Sequence, residues 1–249
     1  GHGAKVGDPL TTHPHTPIIS FTGGTVTGKH IASITAPMFK KISLELGGKN
    51  PNIIFADANF NKALKMAVKA AFSNQGQICL CGSRLFVQKE IYDDFKEALL
   101  DKVSELTVGD PTNENSNLGA VVSEAHMNKI LGKIEEAKKL GGKILTGGNR
   151  VILEGNLKNG YYIEPTVIEG LSFDCSINQE EIFGPVVSLM PFDSEEEVIE
   201  MANSTKYGLS ASIYTENISK GHRVAANIDA GVVWICLLYT SDAADDTLC

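Results

Sequence analysis

Short apolar runs alternate along most of the chain with stretches whose apolar positions recur every three to four residues. Asn52-Ile53-Ile54-Phe55 reads as a short buried strand. Residues 60–73 follow with Ala63, Leu64, Ala67, Val68 and Ala71 on one helical face. Residues 84–88 predict a strand, and Ile91, Phe95, Ala98, Leu99 and Leu106 predict a helix that Val108-Gly109-Asp110-Pro111 stops. Ser123 can cap a long helix to Leu140, closed by Gly141-Gly142. A strand at 186–190 leads to a helix for which Asp193 is the expected cap. Its Glu195, Glu196 and Glu197 suit the positive end of the helix dipole, and a solvated first turn is the simplest reading of them. A strand at 211–214, a helix around 219–227 and a strand at 231–235 complete the series. Strands separated by helices predict a parallel α/β fold. No internal repeat or low-complexity segment is visible, but residues 236–249 carry neither a period nor a turn motif.

Composition narrows the function classes. The 249 residues hold 22 Lys+Arg against 30 Asp+Glu, a formal charge of −8. An acidic chain has no general attraction for phosphate backbones, so a nucleic-acid partner is not expected. The longest apolar run, 232–239, is too short to span a bilayer, so no membrane partner is expected either. The chain opens Gly1-His2-Gly3 with no basic-then-apolar targeting segment. Five sparse cysteines do not form a secreted disulfide framework and point to a reducing, cytoplasmic setting. Cys79-x-Cys81 lacks the second ligand pair of a zinc site, so no metal is expected.

Four segments carry candidate chemistry. Gly1, Gly3 and Gly7 flank an expected turn, and Phe21-Thr22-Gly23-Gly24-Thr25-Val26-Thr27-Gly28 follows the apolar Ile18-Ile19 and precedes a helix. Glycines at such a junction let backbone N–H groups approach a pyrophosphate, though a plain turn explains them equally. In Leu44-Glu45-Leu46-Gly47-Gly48-Lys49-Asn50-Pro51 a lone carboxylate sits between leucines. Either Glu45 is an exposed or Lys49-paired boundary residue, or it is a desolvated base with a raised pKa. Residues 73–84 form a loop dense in amides, glycines and thiols, in which Cys79 or Cys81 is a candidate nucleophile. Gln179-Glu180-Glu181-Ile182-Phe183-Gly184-Pro185 is a third such loop, and alone it would read as a turn.

Taken together, the order and separations of these segments resemble the aldehyde dehydrogenase family, including the placement of Cys79 34 positions after Glu45. The resemblance runs over residues 1–235. It implies a parallel three-layer α/β catalytic domain at 48–235, preceded at 1–47 by the C-terminal remnant of a Rossmann-like cofactor domain. By the resemblance, Cys79 falls on the nucleophile, Cys81 on a non-catalytic neighbour and Glu45 on the general base. Gly23 and Gly24 fall beside the cofactor pyrophosphate, Leu46 near the nicotinamide, and Glu181 and Phe183 where relatives hold its ribose and ring. The implied reaction is oxidation of a small-molecule aldehyde to the acid through a Cys thioester, with NAD, or NADP, as cofactor. Ile78-Cys79-Leu80-Cys81 and the segment 191–200 are similar to a branch of the family that acts on a semialdehyde of tryptophan breakdown.

The resemblance also implies a chain about twice this long, forming a homodimer or homotetramer. The oxyanion-binding Asn and the ribose-binding Lys of relatives would lie upstream, and loss of one oxyanion donor costs on the order of 100- to 1,000-fold in rate. Residues 236–249 depart from the family and read as out-of-frame translation. The alternatives to a working dehydrogenase are therefore an inactive truncated product or a cofactor-independent thiol esterase. Exposed apolar surface is expected where a larger sheet would pack.

Overall fold

The computed structural model describes residues 1–237, and the expectation for the segment 236–249 lies outside them from residue 238 on. The chain divides into two compact units, Gly1–Gly47 and the remainder from Gly48.

The first unit comprises α1 (Gly3–Thr11), β1 (Ile18–Thr22), α2 (Thr25–Thr35) and β2 (Lys41–Glu45). β1 and β2 pair in parallel from Ile18↔Lys41 to Thr22↔Glu45. Parallel neighbours need a crossover, and α2 supplies it. The turn expected around Gly3 and Gly7 is instead α1. Its end is closed by Thr11 Oγ1 donating to the Gly7 carbonyl and Thr12 Oγ1 donating to the Asp8 carbonyl. Asp8 also pairs with His30 on α2 at 2.8 Å, so glycine content misled where threonine closure decides. Ile18, Val26 and Phe39 are exposed, Phe39 at 95%.

The second unit is built on β3 (Pro51–Ile54), α3 (Phe60–Phe72), β4 (Arg84–Gln88), α4 (Tyr92–Ser104) and α5 (Glu124–Lys139). It continues with β5 (Lys143–Thr146), β6 (Arg150–Val151), β7 (Tyr162–Ile163), β8 (Thr166–Glu169) and α6 (Ser176–Gln179). β9 (Val186–Phe192), α7 (Glu195–Asn203), β10 (Ser210–Tyr214), α8 (Ile218–Ala225) and β11 (Val232–Ile235) complete it. Seven strands form one sheet in the order β11-β10-β3-β4-β9-β8-β5. Every pairing in it is parallel except that of β5 with β8, so the all-parallel expectation holds only up to this edge. β5 follows α5 with just Leu140-Gly141-Gly142 between them and carries a register shift between Ile144 and Thr146, features the apolar pattern does not signal.

Strand alternation sends neighbouring residues to opposite faces. Ile54, Leu85, Val87, Val187 and Leu189 pack with α3 and α4 residues such as Leu64, Ala67, Phe95 and Leu99. Ile53, Phe86, Met190 and Ile213 pack on the other face with Val198 and Met201 of α7 and Val224 of α8. The result is a three-layer α/β unit. The cap expected at Ser123 closes as a hydrogen bond, and α3, for which the sequence offered no cap, is capped by Asn59, but α7 is capped by Ser194, which accepts from the Glu197 N–H, and not by Asp193. Asp193 instead donates its own N–H to the Glu197 carboxylate, leaving the shorter hydroxyl to cap.

Because β10, β3, β4 and β9 are adjacent and parallel, the loops that enter them gather at one end of the sheet. These are residues 204–209, 48–50, 73–83 and 180–185, and they hold the candidate chemistry of this unit.

Candidate active site

Cys79 occupies a tight turn in which the Cys81 N–H donates to the Ile78 carbonyl at 3.0 Å. The turn is held from outside by Asn50. Its Nδ2 donates to the Cys79 carbonyl at 2.7 Å and to the Cys81 carbonyl at 2.9 Å. Its Oδ1 accepts from the Ser210 N–H at 3.2 Å, tying the turn to the start of β10. Gly48 passes so close that a Cβ there would lie 2.6 Å from the Cys79 carbonyl oxygen, so only glycine fits.

The two thiols differ in setting. Cys79 is half-buried, whereas Cys81 is buried and its thiol is pushed up to about 11, chiefly by desolvation. Burial therefore keeps Cys81 protonated at neutral pH, which favours Cys79 as the reactive member. The amides that make this loop conspicuous in the sequence are scaffolding. Gln75 Oε1 accepts from the Gly119 N–H at 3.0 Å and Gln77 Oε1 from the Val122 N–H at 3.1 Å. Asn74 and Gln75 adopt left-handed conformations, at φ 49° and 56°. Gly76, also at positive φ, lies against Gly184, whose carbonyl oxygen would be 2.0 Å from an added Cβ.

That contact joins the Cys loop to the loop bearing Glu181 and Phe183. Glu181 accepts from the Gly48 N–H at 3.1 Å, and its carboxyl is raised above the usual range, first by burial, with the hydrogen bond opposing. Phe183 is strained at φ 58° and 36% exposed, with its carbonyl accepting from His126 Nε2 of α5 at 2.7 Å. Gly48, Ile78, Cys81, Glu181 and Phe183 line one cleft. The structure thus brings Cys79, Glu181 and Phe183 to the same end of the sheet.

Behind the turn lie two buried basic side chains, Lys49, which the sequence named only as a possible partner of Glu45, and Arg84, which it did not single out. Lys49 is 2% exposed, and burial, reinforced by the Arg84 charge, lowers its ammonium from 10.5 to about 7. Arg84, lowered to about 10 by burial, donates to the Lys49 carbonyl at 2.8 Å, to that of Met201 at 2.8 Å and to that of Ala202 at 2.7 Å. A buried guanidinium satisfied by three carbonyls fixes the backbone from which Gly48 and Asn50 reach the turn.

The remaining candidates belong to the first unit. The Gly23 N–H donates to the Glu45 carbonyl at 3.0 Å, and Leu46 packs where a Cβ on Gly28 would be 2.5 Å from its Cδ2. Gly23, Glu45 and Leu46 are therefore neighbours. Glu45 is exposed at the end of β2, so the desolvated carboxylate considered from the sequence is not what this chain presents. Gly24 is the cap of α2 and makes no side-chain cap bond, with open space beside its Cα. Among the described residues, no group of three or more His, Cys, Asp or Glu could hold a metal, and no helix is long and apolar enough to cross a membrane.

The comparisons with known proteins agree with this architecture. The profile of the aldehyde dehydrogenase family matches residues 1–245, and the chain belongs to that family. The match reaches ten residues past Ile235. The chain is 44% identical over 236 residues to 2-aminomuconic semialdehyde dehydrogenase of Mus musculus, covering 94% of this chain and 48% of that protein. It is 44% identical over 234 residues to 4-trimethylaminobutyraldehyde dehydrogenase A of Danio rerio, covering 94% and 46%. Betaine aldehyde dehydrogenase of Staphylococcus aureus, crystallised with NAD+, superposes with a TM-score of 0.94 at 42% identity, over 98% of this chain and 48% of that one. The chain thus spans about half the length of the relatives it matches.

Proposed function

We propose that this chain is the catalytic portion of an NAD-dependent aldehyde dehydrogenase, with Cys79 as nucleophile and Glu45 as general base. The observation that carries this reading is the Ile78–Cys81 turn. It presents one half-buried thiol beside a buried, high-pKa one at the loop end of a three-layer α/β unit of this family. In the proposed reaction the Cys79 sulfur bonds to the aldehyde carbon and the carbonyl electron pair moves onto oxygen. NAD, when bound, supplies the hydride acceptor that the oxidation requires. Glu45 takes a proton from the water that attacks the Cys79 thioester, and the carboxylic acid and the thiol are released.

The residues present suit a dinucleotide. Gly24 leaves the first-turn N–H groups of α2 without a side-chain cap, and a Cβ added at Gly24 would meet nothing within 4 Å, which suits the donor set a pyrophosphate takes. Gly23 and Gly24 are assigned to the pyrophosphate, Leu46 and Phe183 to the nicotinamide ring and Glu181 to its ribose. Residues 1–47 are accordingly assigned to a cofactor domain and 48–235 to the catalytic domain. We assign as substrate a semialdehyde such as 2-aminomuconic semialdehyde, supported by the 44% identity to the mouse enzyme, and a cytoplasmic homodimer or homotetramer as the working form.

The test is reduction of NAD and of NADP with 2-aminomuconic semialdehyde, 4-trimethylaminobutyraldehyde and betaine aldehyde. It is run on these 249 residues and on the longest coding sequence that carries them. Cys79→Ala is expected to cut turnover on the order of 10³-fold or more. Turnover that survives Cys79→Ala overturns the assignment. Ester hydrolysis without NAD, with no aldehyde oxidation in either form, would favour a thiol esterase instead.

A further inference from the structure

One side chain grips the Cys79 turn at two carbonyls, and nothing in its residue type announces that role. Asn50 is 3% exposed and makes three hydrogen bonds to segments far apart in sequence. Its orientation is unambiguous: two carbonyls can accept only from the NH₂ end, and the Ser210 N–H can donate only to the oxygen. Both Nδ2 protons are therefore committed to the turn, one to the residue that carries the thiol and one to the residue that closes it. The backbone beneath Asn50 cannot drift. Arg84 donates from its main-chain N–H to the Asn50 carbonyl at 3.3 Å and from Nε to the Lys49 carbonyl at 2.8 Å. Pro51 follows immediately and restricts Asn50 to extended backbone. On the other side Gly48 lets the chain pass within contact of both the Asn50 amide and the Cys79 carbonyl.

We infer that Asn50 is the positioning residue of the nucleophile: its side-chain amide fixes the Cys79 turn and turns the negative ends of the Cys79 and Cys81 carbonyl dipoles away from the thiol. This rests on Cys79 being the nucleophile. A carbonyl whose oxygen is engaged by an N–H donor cannot swing toward a neighbouring sulfur, and a thiolate forms more readily without that negative end beside it. Removing the amide should therefore lower the ionisation of Cys79 without opening the fold.

The experiment is the rate of alkylation of Cys79 by iodoacetamide as a function of pH, read by peptide mapping in the full chain. It compares the parent, Asn50→Ser and Asn50→Asp. Buried Cys81 reports the fold in the same digest, because an unfolded variant labels both thiols alike. The expected result is a Cys79 profile displaced upward by about one pH unit in Asn50→Ser. That is roughly tenfold slower labelling at neutral pH, with Cys81 still protected. Asn50→Asp, which sets a carboxylate against two carbonyl oxygens, is expected to move the profile further in the same direction. Unchanged profiles in variants that melt earlier would mean that Asn50 only supports the fold, and would overturn the inference. A measurement on the unsubstituted chain stands if the variants do not fold: the Asn50 side-chain amide resonance should shift with the Cys79 titration and stay still in Cys79→Ala. An amide signal indifferent to that titration overturns the inference equally. Failure of the nucleophile assignment looks different, as turnover that persists in Cys79→Ala.

Discussion

Where β3, β4, β9 and β10 begin, the sheet meets long loops with three non-glycine residues at positive φ (Asn74, Gln75 and Phe183) and two buried cations, Lys49 and Arg84. Where the same strands finish, the connections are held by polar pairs that range from exposed, at Lys89 and Asp193, to part-buried, at Asp57 and Thr215. Lys89 meets Asp193 at 3.0 Å, Arg223 meets Glu195 at 2.6 Å, and Asp57 takes hydrogen bonds from Thr215 and Lys220. Cys236, at φ 57° after β11, is the one strained non-glycine residue on that side among the described residues. Strain and buried charge persist only where the surroundings over-determine them, and they gather at sites that do chemistry. The strained end of these strands, with its buried basic groups, is their entry end, whereas open parallel sheets more often bind ligands at the opposite end.

The contrast can be broken by substitution, with the largest effect expected at Arg84. Arg84→Met strands the carbonyls of Lys49, Met201 and Ala202 and should cost about 3–5 kcal/mol in urea unfolding. A loss below about 1 kcal/mol would mean that the entry end does not depend on this cation. Lys49 gives a pH test. Its folded value, about 7, lies below the ordinary 10.5, so between those limits the unfolded chain binds the proton and the folded chain does not. Its contribution is therefore present at high pH and lost as pH falls through about 7. Lys49→Met should remove this slope and, below pH 7, unfold harder than the parent by up to about 5 kcal/mol. Parallel stability–pH curves would refute a desolvated amine here.

Gly76→Ala introduces a Cβ 2.0 Å from the Gly184 carbonyl oxygen at a positive φ and should destabilise by about 2 kcal/mol, read as a fall in the melting midpoint. At the exit end, Lys89→Ala removes a pair exposed on both sides, and its melting midpoint should coincide with that of the parent. A large shift there would erase the distinction between the two ends.

The sheet was legible because β3, β4, β9, β10 and β11 are apolar and bounded by turns, and α3, α4 and α5 because Ala63 to Ala71, Phe95 to Val103 and Met127 to Ala137 keep helical period. β5 to β8 were not legible, since two- and four-residue strands such as Arg150–Val151 carry no period, and α1 was hidden by Gly3, Gly7 and Pro9. Of the site, the cysteine loop and the segment from Glu45 to Pro51 stood out by glycine and thiol density. Asn50, Lys49 and Arg84 did not, because a polar residue beside a glycine pair or opening a strand reads as surface until burial is known. The Gly47-Gly48 pair was the available signal, as adjacent glycines mark a close backbone approach.

The strand order carries a consequence for synthesis. β3 lies between β4 and β10, and Ile54 is registered with Tyr214, 160 residues later. At roughly 5–20 residues per second, one side of β3 waits on the order of 8 to 30 seconds for the ribosome to deliver its neighbour. Through that interval Ile53, Ile54 and Phe55, all buried in the finished protein, lack the neighbouring strand β10. Yield in a cell should accordingly answer to translation speed and chaperone supply more than to any single contact in the finished core.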